Sequence, residues 1–193
     1  GTFWKRHDIQ DGLPDNNITD IIDLPDGHII ASTVEGMSRF DGQAWVNYLT
    51  DIPNAAPNGL RVGPQNQHWI NTKNQHTIHH TPRTQAPQTT ITVNLTKVSQ
   101  PGNTILSWLG ADPWRASTQH LMFSHRLDNE DWSPYTPSTN RVLLSQPSGQ
   151  HTFQVRARNT DFIVDPSPSQ LTFQVAPPLW REPWLVITVF CLI

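Results

Sequence analysis

Proline constrains this chain more than any other residue, occupying 17 of its 193 positions. Each one removes a backbone N–H and clashes with the carbonyl one turn earlier, so helices are interrupted. A helical bundle is disfavoured and a coiled coil is excluded. The rest of the composition agrees. Hydrophobic residues make up 36% and charged residues 15%, against roughly 45–50% and 25% in average globular chains. Asn, Gln, Ser, Thr and His fill the difference. The length allows one large domain or two small ones. A net charge of −3 gives no electrostatic reason to expect a nucleic-acid partner. The single cysteine, Cys191, forms neither an intrachain disulfide nor a thiolate metal site.

Short β-type runs at 18–24, 28–32, 37–40 and 44–48 are separated by Pro25-Asp26-Gly27, Glu35-Gly36 and Asp41-Gly42. Those separators supply the tight-turn residues that hairpins require. Four strands and three hairpins make one antiparallel meander, the size of a propeller blade. The pattern recurs about 40 residues later, a spacing typical of blade repeats. Leu13-Pro14 is echoed by Ile52-Pro53, Ile30 by Trp69, and Ser32-Thr33 by Asn71-Thr72. The second unit, through Thr77-Ile78-His79-His80, has lost most of its turn glycines. Two blades cannot close a ring of about four to eight, so further blades are expected upstream of Gly1.

From Pro87 onward the two-residue period sharpens. Leu121, Phe123, His125 and Leu127 alternate with polar or flexible residues, as do His151, Phe153, Val155 and Ala157, and Leu171, Phe173 and Val175. Such alternation marks strands with one face on a core and one in water. Further runs at 91–95, 105–109 and 142–144 complete a set of strands that fits an immunoglobulin-like or fibronectin-type sandwich. The closing run, Leu185 to Ile193, has one polar residue and follows Trp180-Arg181-Glu182-Pro183-Trp184. Tryptophans and charges beside an apolar run are the composition of a membrane interface. The run covers about half of the roughly 20 residues a span needs, so a transmembrane helix cut short is expected.

The string from Asp11 to Trp45, DGLPDNNITDIIDLPDGHIIASTVEGMSRFDGQAW, resembles the two-component-regulator propeller repeat. Residues 49–80 resemble it weakly. SHRLDNEDWSPY, PSGQHTFQVRARN, VDPSPSQLTFQV and APPLWREPW resemble the triple-tyrosine (YYY) domain, with His125, Leu143 and His151 where the naming tyrosines stand. In that family the domain follows propeller repeats and precedes a transmembrane helix, and the order here is the same. The resemblance implies the sensor region of a bacterial membrane-bound signalling protein. It also implies a small-molecule or saccharide ligand on the propeller, and a homodimer.

Candidate chemistry is sparse. His76, His79 and His80 crowd into HTIHH, but no two stand two positions apart, so no pair converges from one face of a strand. A polar strand edge is expected there, with no metal. His125 and His151 fall on apolar strand faces and are candidates for a pH-sensitive pair, lowered in pKa by desolvation and mutual repulsion. The turn Asp128-Asn129-Glu130-Asp131 lacks EF-hand spacing. Arg156 and Arg158 lie on an outer face and form either a docking stripe or a hydrated one. Trp4, Trp45 and Trp69 recur with the blades, as packing between blades requires. No P-loop, GxGxxG, HExxH, GxSxG or CxxC occurs, so neither catalytic residues nor a cofactor is expected.

The expected fold is all-β. Residues 1–86 form two blades of an incomplete propeller, 87–178 an immunoglobulin/fibronectin-like sandwich, and 179–193 a juxtamembrane segment with the start of a membrane helix. The expected role is the membrane-proximal part of an extracytoplasmic sensor region, on the periplasmic or extracellular face of a bacterial inner membrane. The alternative is a secreted or surface-anchored carbohydrate-binding or adhesive module.

Overall fold

Turn chemistry sets the strand pairing of the first unit. β1 (Ile18–Asp23), β2 (Ile29–Thr33), β3 (Gly36–Phe40) and β4 (Trp45–Tyr48) pair antiparallel in sequence order. Asp41 Oδ1 accepts from the N–H groups of Gln43 and Ala44 and so shapes the last hairpin. β5 (Ala55–Val62), β6 (His68–Thr72) and β7 (Thr77–His80) form a second antiparallel sheet. The computed structural model describes residues 4–48, 55–64, 67–82, 84–113 and 121–178. The chain divides into two units, Gly1–Thr84 and Gln85–Ile193. It is all-β, and the described helical structure is the 3-10 turn Ile9–Asp11.

The weak sequence repeat has a counterpart in the hydrogen bonds. Leu24 N–H donates to the His28 carbonyl across the β1–β2 turn; Gly63 N–H donates to the Gln67 carbonyl across the β5–β6 turn. Both partners of the second bond stand 39 residues after those of the first. The two sheets share one apolar core of Leu24, Ile30, Met37, Leu60 and Ile70. Asp20 Oδ2 accepts the Leu60 N–H across that contact. Ile30 is fully buried in it, whereas Trp69, its counterpart, is 42% exposed. Ile70 faces the core, so its neighbour Trp69 must point to the opposite face of the sheet. The second sheet therefore packs on the first with its other face. Towards the chain start, Ser38 Oγ donates to the Gly12 carbonyl and His7 packs edge-on against Phe40 and Trp45.

In the second unit, β8 (Gln88–Ile91), β10 (Thr104–Ala111) and β12 (Asn140–Leu143) form one sheet in the order β12-β10-β8. β9 (Lys97–Val98), β11 (Met122–Leu127), β13 (Gly149–Arg158) and β14 (Ser169–Val175) form another, in the order β11-β13-β14-β9. The sheets face each other across Leu106, Trp108, Phe123, Leu127, Leu143, Phe153, Val155, Phe173 and Val175. Alternation at 91, 93 and 95 predicts a strand there, yet β8 ends at Ile91. Val93 and Leu95 still pack against the core, without a ladder of their own. β9 pairs parallel to β14, and past its end Ala176 N–H donates to the Val98 carbonyl. No helix among the described residues is long and apolar enough to cross a membrane. The membrane segment expected at 179–193 lies outside the described residues.

Candidate functional site

Polar groups gather where β11 runs into the turn after Leu127. Asp128 enters that turn with φ of 51°. Its Oδ1 accepts the Thr152 N–H at 2.7 Å. Its Oδ2 lies 2.7 Å from His151 Nδ1, while His151 Nε2 lies 2.9 Å from the Pro147 carbonyl. Two acceptors on two ring nitrogens suit the imidazolium, which donates from both. Burial opposes the charge on His151, but the bonds to Pro147 and Asp128 outweigh it and raise the pKa. Glu130 completes the turn, accepting the Leu127 N–H and pairing with Arg141 at 3.1 Å.

His125 has a different setting. Its ring lies 5.6 Å from Trp108 and 5.8 Å from Phe153 on the core face of β11. Desolvation is the main cause lowering its pKa, and the Arg141 guanidinium, 3.4 Å from Nδ1, adds to it. In register, His125 stands opposite Val155 and His151 opposite Phe173. Four residues along β13 separate Val155 from His151, about 13 Å at strand rise. The structure thus places the two imidazoles in separate environments, with the acidic turn adjoining both. His151 is raised, against the lowering that mutual repulsion predicts. The acidic turn that holds Asp128 and Glu130 stands out in the sequence, whereas Arg141 and Pro147 carry no local signal that they partner it.

Opposite shifts predict opposite pH dependences. His151 holds its proton more tightly when folded, so its stabilisation is complete below the unfolded pKa near 6.5 and is lost as pH rises through the folded pKa. His125 is held neutral, so its contribution is present above about 6.5 and is lost as pH falls below it. Urea midpoints measured from about pH 5 to pH 9 are expected to lose their alkaline decline in H151Q and part of their acid decline in H125F. Identical pH profiles for both variants and the parent would contradict these assignments.

The remaining candidates fall elsewhere. His79 stacks on Trp69 at 4.1 Å between centroids, and His80 on His68 at 5.8 Å. These neighbours therefore occupy opposite sheet faces, and His76 sits exposed in the preceding turn. Among the described residues, no three His, Cys, Asp or Glu side chains gather as a metal group. Trp45 lies tilted against Phe40 at 5.0 Å between centroids, and Trp4 is 96% exposed.

No family model matches the chain, and no curated protein matches it. Solved structures do. The extracellular domain of BT3049 from B. thetaiotaomicron, assigned as a hybrid two component system, aligns over 87% of this chain at 15% identity and TM-score 0.55. This chain spans 27% of that domain. Fibronectin(III)-like modules of Clostridium thermocellum CbhA align over 77% of this chain and 84% of their own, at 14% identity and TM-score 0.41. The extracellular domain of BT4673 from B. thetaiotaomicron aligns over 89% of this chain and 26% of its own, at 13% identity and TM-score 0.38. At these identities the BT3049 likeness establishes shared fold.

Proposed function

We propose that this chain is the membrane-proximal part of the extracytoplasmic sensor region of a bacterial signal-transduction receptor. The observation that carries the reading is the order of parts. Repeated meander sheets precede a two-sheet unit, and 87% of this chain aligns with an extracellular domain of which the alignment covers 27%. In this reading the two stacked sheets are the last blades of a propeller, and the uncovered Trp69 face receives another blade. A small-molecule or saccharide ligand binds mainly on that propeller, in a homodimeric receptor. The second unit is the immunoglobulin-like triple-tyrosine domain, which hands the signal to a membrane helix beyond Pro178.

The end of β14 suits such a relay. The backbone of Ala176 is braced on β9 by its own N–H bond to the Val98 carbonyl. Gln100 Nε2 also donates to the Ala176 carbonyl at 2.5 Å. Pro177 and Pro178 follow, and their fixed φ angles leave little slack to absorb a movement. A flexible Gly/Ser insertion after Ala176 in the full-length receptor tests this. Ligand-dependent output should be lost while ligand affinity stays unchanged. Unchanged output would overturn the rigid relay.

A further inference from the structure

The outer face of the β11–β13 pair carries a column of alternating cations and rings. Arg126 lies 4.8 Å and Arg156 4.0 Å from the Trp132 ring. Arg156 also lies 5.9 Å from the Tyr135 ring, and Arg158 lies 4.0 Å from Tyr135 and 4.3 Å from Phe162. The strands present the arginines through the two-residue period, opposite the core face. The rings come from loops. Trp132 and Tyr135 lie on the segment held to β11 by the Ser133 N–H bond to the His125 carbonyl and by the paired backbone bonds of Phe123 and Thr136.

Cation–ring stacking explains why the column is ordered. It does not neutralise the charge. No carboxylate lies within ion-pair distance of Arg126 or Arg156 among the described residues; of the acids in the turn before Trp132, Asp131 is exposed and the other two are engaged elsewhere. Asp128 binds His151 and Thr152, and Glu130 binds Arg141. Arg126 Nε donates to the neutral amide oxygen of Gln154 at 2.7 Å. The ring faces are covered by guanidinium groups, whereas both arginines remain partly exposed. Two planar guanidinium groups thus lie beside one Trp132 ring, partly exposed and without a carboxylate partner among the described residues, on a chain of net charge −3.

We propose that this face binds a linear acidic polysaccharide, with Arg126 and Arg156 donating to successive sulfate or carboxylate groups. Planar guanidinium forks match both oxyanions. A row suits a polymer whose charge repeats along a line. An anionic membrane fits less well, because the rings that would insert into lipid are held between cations. The inference stands independently of the receptor reading.

The test is calorimetric titration of the whole chain with dextran sulfate, polygalacturonate, neutral dextran and phosphatidylglycerol vesicles at low ionic strength. Binding is expected for the two acidic polysaccharides and should weaken with added salt. R126Q/R156Q should weaken it by about tenfold or more, the loss of at least one charge-assisted hydrogen bond. R126K/R156K, which keeps charge and loses the fork, should fall between that variant and the parent. K5Q/K73Q, which removes the same charge elsewhere, should change affinity by less than about twofold. Matching unfolding midpoints for the lysine variant and the parent would show that its weakened binding is not unfolding. Equal losses in R126Q/R156Q and K5Q/K73Q, binding to vesicles alone, or no binding to either acidic polymer would overturn the proposal.

Discussion

Phe153→Ala is expected to destabilise the second unit by about 3–5 kcal/mol, the usual cost of removing a buried aromatic ring. Phe153 is fully buried in the centre of β13. Leu127 flanks it on one side and Leu171 on the other, in register. Across the core its ring lies 5.6 Å from Trp108, which is itself 1% exposed. Truncation leaves a hole whose walls are held by two sheets, so collapse into it is limited. A loss of this size is a large share of the roughly 5–15 kcal/mol that holds a domain folded. Phe153→Leu keeps most of the volume and is expected to cost under about 2 kcal/mol. Urea unfolding followed through hydrogen exchange of β13 amides would separate the second unit's response from the first's. A cost for the alanine variant below about 1 kcal/mol would mean that the core is not closed around this ring.

Core strands are the part of the fold that the sequence makes legible, because period-2 alternation is local. His151, Phe153, Val155 and Ala157 alternate in sequence and are all buried. The β1–β2 turn is legible for a similar reason, since Pro25-Asp26-Gly27 has few alternatives to a tight reversal. Pairings made across many residues leave no such mark. β9 has two residues and joins β14 in parallel, too short for any period. His151 finds Asp128 across 23 positions, and that encounter joins the bond to the Pro147 carbonyl in raising its pKa. The arginine column is half legible. Arg156 and Arg158 stand out on an outer face, but Trp132, Tyr135 and Phe162 come from loops without periodicity. Only the folded loops reveal that those cations are stacked.

Gly102→Ala should have the second large effect, about 2–4 kcal/mol, combining a left-handed backbone with a backbone clash. Gly102 has φ of 80°, and a Cβ there would sit 2.3 Å from the Gln146 carbonyl oxygen. The neighbouring backbone has to move, because Gln146 N–H also donates to the Gly102 carbonyl. Gly27 supplies the control. Its φ is 82°, but a Cβ there meets nothing within 4 Å, so Gly27→Ala carries only the backbone strain of about 1 kcal/mol. The difference matters at the end of β14. Gly102 N–H donates to the Ser99 carbonyl, one residue beyond the β9 segment that braces Ala176. Displacing that turn should loosen the Val98 and Gln100 contacts to Ala176. Hydrogen exchange at the Ala176 amide is therefore expected to quicken in Gly102→Ala under conditions where the rest of β14 stays protected, and to remain unchanged in Gly27→Ala. Equal exchange in the two variants would show that the end of the second unit is held by β14 alone.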